Sequence, residues 1–152
     1  FPGNAVDEEP EMPEKNLIAP QPEKIKYEKS AISTEAIASI HQQLYDLMES
    51  EKLFKDPDIT LGDLAKKLEV HPNTLSQVIN TIEQRNFYDY INNQRVDEFK
   101  AICHLPENKN YTLLSLAFEC GFNSKTAFNR NFKKVTSLSP TEYLKSTQIT
   151  LQ

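Results

Sequence analysis

Two short segments of the sequence concentrate side chains of the kinds that contact DNA base edges. Asparagine and glutamine match the paired donor and acceptor of adenine, and arginine or lysine match the two acceptors of guanine. When the segments are aligned with each other, Gln77 in the first and Arg130 in the second occupy equivalent positions. The candidate base-contacting residues are Asn73, Thr74, Ser76, Gln77, Lys125, Thr126, Asn129 and Arg130.

A second set of side chains is placed to contact phosphates. His71 and Ser124 lie where the sequence predicts helix N-termini, whose backbone N–H groups attract anions. Lys133 and Lys134 follow the second segment and add positive charge beside it. Phosphate contacts fix the register of a protein on the duplex and carry no sequence information directly. The alternative interpretation of the two lysines is an ordinary solvated helix face.

Enzymatic, metal and cofactor chemistry have no comparable pattern. Cys103 and Cys120 form no CxxC or Cys/His cluster, and His41 and His104 have no partner at ligand spacing. An enzyme such as a DNA-repair alkyl transferase would need an activated cysteine in a cationic site, which neither cysteine has. We therefore expect two free, buried thiols, no catalytic residue, no metal site and no cofactor.

The elements that would position the two segments are two copies of one helical unit. Residues 60–65 (TLGDLA) recur as residues 112–117 (TLLSLA), and each run is followed by a turn and a second short helix. Two short helices joined by a tight turn form a helix-turn-helix, whose second helix enters the major groove. In the second copy Gly121 lies in the turn, where a positive φ is often needed. Phe128 and Phe132 take the places of Leu75 and Ile79.

Three further helices complete the prediction. Ser33 is the predicted N-cap of an amphipathic helix that ends near Leu53. A longer helix is predicted over residues 87–104. Residues 139–142 (SPTE) form a capping box that begins a last helix. The sequence therefore predicts an all-α fold of seven helices and no strand. Two helix-turn-helix subdomains are joined by a long linker helix and preceded by one amphipathic helix.

Composition divides the chain into unequal parts. Residues 1–30 contain five prolines among charged residues and present no apolar face, so we expect a flexible, disordered linker there. The net charge is −5, but the first 70 residues hold 15 acidic and 8 basic residues whereas the remainder holds 7 and 9. The slightly basic second part is compatible with DNA binding, but its excess of positive charge is too small to indicate DNA binding on its own. The chain starts at Phe1, with no initiator Met, and we expect an upstream region.

The run over residues 117–134 (AFECGFNSKTAFNRNFKK) resembles the signature of the AraC/XylS family of bacterial transcription regulators. The resemblance rests on the Gly-Phe turn and on the spacing that follows it: six residues to Phe128, four more to Phe132 and eight more to Pro140. It extends to residues 86–92 and to Arg95-Val96. It covers about residues 60 to 145. It implies two helix-turn-helix subdomains whose recognition helices enter successive major grooves on one face of the DNA.

The sequence departs from the family pattern at three places. Ser137 and Glu69 stand where the family usually has glycine, and no Lys or Arg lies between His71 and Arg85 in the first recognition helix. We therefore expect the second motif to read bases more strongly. Together with the resemblance, the composition predicts three divisions: residues 1–30 as a linker, 31–55 as an amphipathic helix and 56–148 as an AraC-type double helix-turn-helix DNA-binding domain.

The resemblance implies double-stranded DNA as the partner and a cytoplasmic location, with RNA polymerase as a second candidate partner. The Pro/Glu-rich start and the extra helix also resemble a subset of the family whose upstream sensor region lies in the membrane. The helix over 33–53 is a candidate homodimer contact or a signal relay, and the sequence does not choose between them. The competing function is a helix-turn-helix protein-interaction module without base reading, which apolar or acidic exposed positions would favour; the two segments carry neither.

Overall fold

The structure, a computed structural model, describes residues 32–151, and for residues 148–151 only the backbone. Within this range the chain forms seven α-helices and no strand, which confirms the predicted all-helical class. The predicted linker over 1–30 lies outside the described residues. The helices are α1 (Thr34–Glu51), α2 (Leu61–Leu68), α3 (Pro72–Glu83), α4 (Phe87–Ile102), α5 (Leu113–Glu119), α6 (Lys125–Thr136) and α7 (Pro140–Leu151).

The chain divides into two units after Ile37. Of the first unit, residues 32–37 are described, and there the Ser33 hydroxyl accepts a hydrogen bond from the Ala36 N–H at 3.0 Å, as predicted for the N-cap of α1. The second unit, 38–152, contains the rest of α1 and all the other helices. No helix in the described range is both long and apolar enough to cross a membrane.

Hydrogen-bonded caps set where the helices of both repeats begin. Thr60 and Asp63 form a reciprocal capping box, with the Thr60 hydroxyl accepting from the Asp63 N–H at 3.0 Å and the Asp63 carboxylate accepting from the Thr60 N–H at 3.2 Å. At the equivalent place Thr112 accepts from the Ser115 N–H at 3.0 Å, without a returning carboxylate. The capping box predicted for the last helix is also present, between Ser139 and Glu142.

Each repeat is built on its own apolar core, and α4 contributes to both. The first core joins side chains of α1, α2, α3 and the start of α4: Leu44, Met48, Phe54, Leu64, Ala65, Leu75, Ile79, Phe87, Tyr90 and Ile91. The second core joins the rest of α4 to α5 and α6: Val96, Phe99, Leu116, Ala117, Cys120, Phe122, Phe128 and Phe132. One continuous helix therefore carries buried residues of both motifs.

Tyr88 does not belong to the apolar stripe of α4. Tyr88 is 43% exposed, whereas Tyr90 is 3% exposed and lies in the first core. The apolar stripe of α4 begins with Phe87, Tyr90 and Ile91, which lie at steps of three and four residues. The Tyr88 and Phe87 rings pack edge to face, with 5.5 Å between the ring centroids.

The apolar stripe of α1 packs inside the same chain. Leu44 and Met48 are buried in the first core, and Ile40 and Leu47 pack against it. A polar contact adds to this packing, because the His41 ring of α1 lies 2.6 Å from the Glu83 carboxylate at the end of α3. Residues 38–51 of α1 are thus part of the first helix-turn-helix subdomain, and its apolar face is already covered.

Within the described range, four residues other than glycine adopt the left-handed conformation, and each directly follows a helix. Glu69 (φ 60°) closes α2 and Ser137 (φ 68°) closes α6. These are the two positions where the resembled family usually has glycine. The chain therefore keeps the backbone conformation that glycine would adopt, at a steric cost of about 1–2 kcal/mol for each residue.

Candidate nucleic-acid interface

The turn of the first motif ends in the predicted cap of α3. The His71 ring accepts a hydrogen bond through Nδ1 from the Asn73 N–H at 3.1 Å, and Pro72 occupies the first helical position. Because Nδ1 is the acceptor, a neutral His71 ring carries its proton on Nε2, which can donate to a phosphate oxygen. His71 is exposed, so the cap and a phosphate contact are compatible.

The exposed face of α3 is set by the residues that it buries. Leu75 and Ile79 are buried in the first core, and Val78 is buried as well. Of the four predicted base-contacting residues in this helix, Asn73 is exposed and the other three, which flank the buried stripe, are half-buried: Thr74, Ser76 and Gln77. Of its four candidate base-contacting residues, the first motif therefore exposes only Asn73 fully.

The second motif has the same construction with a glycine turn. Gly121 adopts φ 113°, and the Phe122 N–H donates to the Ala117 carbonyl oxygen at 3.2 Å, which closes α5. The Ser124 hydroxyl accepts from the Ala127 N–H at 3.0 Å and caps α6, as predicted. Phe128, Asn131 and Phe132 form the buried face of α6. All of its predicted base-contacting residues are exposed: Lys125, Thr126, Asn129 and Arg130.

The two recognition helices differ in charge. On α6 the exposed cationic side chains are Lys125, Arg130, Lys133 and Lys134, and the helix contains no Asp or Glu. On α3 there is no Lys or Arg, and its one charged residue is Glu83 in the last turn. The Lys134 ammonium is not isolated, because it lies 2.9 Å from the Asp89 carboxylate of α4. The positive potential of α6 therefore comes mainly from the other three cations.

Arg95 has no role predicted from the sequence beyond its part in the family resemblance. Its Nε donates to the Phe54 carbonyl oxygen at 2.8 Å and its Nη2 to the Asp56 carbonyl oxygen at 3.0 Å, while its guanidinium lies 5.9 Å above the Phe122 ring. Burial lowers the pKa of Arg95 to about 10. The side chain thus joins the segment before the first motif to the turn of the second, and it stays charged at neutral pH.

The two cysteines do not provide a nucleophile. Burial raises the pKa of the Cys120 thiol to about 12, and burial also raises that of Cys103, so both thiols are protonated at neutral pH. Cys120 is fully buried, as predicted, but Cys103 is half-buried because it lies at the exposed C-terminal end of α4. Among the described residues no group of three or more His, Cys, Asp or Glu side chains could hold a metal ion.

Comparisons with known proteins agree with this arrangement. A family described as a helix-turn-helix domain matches residues 64–146, more than half of the chain. The melibiose operon regulatory protein of Escherichia coli K12 is 24% identical over 120 residues, which are 79% of this chain and 37% of that protein. The chain therefore spans little more than a third of the length of this curated relative.

Solved structures share the fold. A protein of unknown function from Listeria innocua is 26% identical and gives a TM-score of 0.57. The superposition covers 68% of this chain and 93% of that protein. The C-terminal domain of AraT, a response regulator from Geobacillus stearothermophilus, gives 0.56 at 23% identity and covers 70% of this chain and 84% of its own. The fold and its paired motifs define a domain with two helix-turn-helix motifs. The chain belongs to the AraC-type helix-turn-helix family of transcription regulators.

Proposed function

We propose that this chain binds double-stranded DNA sequence-specifically, with α3 and α6 reading successive major grooves. The observation that carries the proposal is the exposed face of α6, where Asn129 and Arg130 lie among lysines and no acidic residue intervenes. An Arg fork matches the acceptors of guanine, and a carboxamide matches adenine. The relative from Escherichia coli is named as an operon regulator, which favours the same role.

The two motifs divide the work unequally. The second motif supplies most of the affinity for DNA and most of its salt dependence, because α6 carries the cationic residues. Each Lys or Arg that neutralises a phosphate releases counterions from the DNA, and this release makes binding depend on salt. Lys133, Lys134 and the N-cap groups of His71 and Ser124 act on phosphates. The first motif adds sequence discrimination through neutral side chains: Asn73, Thr74, Ser76 and Gln77. Residues 56–148 form the DNA-binding domain, and α1 supports it through the first core.

We expect Arg130→Ala to weaken binding to the preferred site by about 1–3 kcal/mol and to remove discrimination at one base pair, because a bidentate contact to guanine is lost. Gln77→Ala, at the equivalent position of the first motif, has a smaller effect because Gln77 is neutral and half-buried. The preferred site comes from selection on a random duplex library. Binding of a labelled duplex is then followed by fluorescence anisotropy on this site and on its single-base variants.

Lys133→Ala is the matched control, since it removes an exposed cation of the same helix. It should weaken all sequences about equally and reduce the slope of log K against log salt by roughly 0.9. A larger loss for Gln77→Ala than for Arg130→Ala on the preferred site would reverse the proposed division of labour. A library from which the protein enriches no sequence would overturn base reading itself and favour the protein-interaction alternative.

A further inference from the structure

A cavity of about 280 Å³ lies between α4 and α6, and none of the predicted base-contacting residues lines it. We call it the α4–α6 cavity. Arg85 reaches it from the connection just after α3, and Lys134 reaches it from the last turn of α6. The cavity is therefore lined by a residue from the connection after the first recognition helix and by residues from the last turn of the second. Its lining residues are Arg85, Asp89, Asn92, Asn93, Asn131, Lys134 and Val135.

The side chains of the cavity carry one excess positive charge. Arg85 and Lys134 are cationic, and Asp89 is the one acidic residue among those that line it. The Lys134 ammonium lies 2.9 Å from the Asp89 carboxylate, so these two charges balance and the Arg85 guanidinium stays exposed. A guanidinium presents a planar fork that matches two oxygens of a phosphate group.

Carboxamides complete the lining and can donate to the same oxygens. Asn131 is only 7% exposed, and its Nδ2 donates to the Ala127 carbonyl oxygen at 2.9 Å. That amide group has a second N–H, and Asn93 on the opposite wall contributes another amide. On the buried face of α6, Asn131 is the one polar residue beside two aromatic rings, and it also lines the cavity.

We propose that the α4–α6 cavity binds one phosphate of the DNA backbone, in the stretch of duplex between the two grooves that α3 and α6 enter. This inference rests on the proposed function and adds a site that neither recognition helix provides alone. Arg85 grips two phosphate oxygens, Asn93 and Asn131 donate to them, and Lys134 moves part of its pairing from Asp89 to the phosphate. The contact fixes the spacing of the two motifs on the duplex.

The test removes the charge of one phosphate at a time. The selected duplex is prepared with a single neutral methylphosphonate at each successive linkage, and binding is measured for the wild type and for the double variant Arg85→Gln/Lys134→Gln. At one linkage between the grooves we expect the substitution to weaken wild-type binding about tenfold, as for the loss of a charge-assisted hydrogen bond. The double variant should lose little at that linkage and keep the wild-type response elsewhere.

The control double variant Lys109→Gln/Lys145→Gln removes two exposed cations outside the cavity and should respond to every linkage as the wild type does. Equal responses of the wild type and Arg85→Gln/Lys134→Gln at all linkages would overturn the cavity site while leaving the proposed function intact. A titration with inorganic phosphate is followed by the amide signals of Asn93 and Asn131. If the titration saturates while no single linkage matters in the methylphosphonate series, the cavity binds free anions and not the DNA backbone. That outcome also overturns the proposal. A wild type that binds no duplex contradicts both.

Discussion

Replacing Gly121 by alanine is expected to lower the free energy of unfolding by about 2–5 kcal/mol, from backbone strain and a disrupted buried hydrogen bond together. A Cβ atom at this position would lie 2.2 Å from the Phe54 carbonyl oxygen and 2.7 Å from Arg95 Nε, which are the two atoms of one hydrogen bond. Gly121 also has φ 113°, which side-chain-bearing residues rarely adopt. The substitution therefore strains the turn and separates the groups that join the two motifs.

Gly62→Ala is the matched control. Gly62 lies in the first turn of α2, and a Cβ there would meet only the Thr60 hydroxyl oxygen, at 3.8 Å. We expect this variant to be more stable than the wild type by up to about 1 kcal/mol, because alanine has the higher helix propensity. Urea unfolding followed by far-UV circular dichroism measures both. Loss of stability by the same amount in the two variants would show that the crowding at Gly121 does not exist.

Local signals in the sequence predict the helices and most of the residues that they bury. Capping residues such as Ser33, Thr60 and Ser124 form hydrogen bonds within three residues of themselves, so their pattern is visible in a short window. The internal repeat then placed Phe128 and Phe132 in the core, where the structure has them. The base-contacting assignments remain a prediction, since only their exposure, and not their contact with DNA, can be read from the fold.

Long-range polar contacts could not be found in this way. Arg95 bonds to carbonyl oxygens 41 and 39 residues before it, and Lys134 pairs with a carboxylate 45 residues away. Backbone carbonyls carry no residue-type signature, so nothing in the sequence marks Phe54 and Asp56 as the acceptors. The α4–α6 cavity is invisible for the same reason, because its walls come from separate helices that only the packing of both cores brings together.

Leu116→Asp is expected to abolish folding of the second motif. Leu116 is 4% exposed in the second core, and its removal costs about 3–5 kcal/mol as lost packing alone. The new carboxylate adds a further penalty of several kcal/mol because the surrounding side chains are apolar and offer no partner. Domains of this size are stable by about 5–15 kcal/mol in total, so the sum removes most or all of the stability.

Ser115→Asp places the same carboxylate one residue earlier and is the control. Ser115 is the third residue of α5 and its N–H already donates to Thr112, so an aspartate there would recreate the reciprocal box that Thr60 and Asp63 form in the first repeat. We expect it to stabilise α5 by up to about 1 kcal/mol through the cap and the helix dipole. Two-dimensional amide spectra should show residues of α5 and α6 losing dispersion in Leu116→Asp and keeping it in Ser115→Asp. If Leu116→Asp melts like the wild type, Leu116 does not face the second core, and α5 is rotated relative to the packing described above.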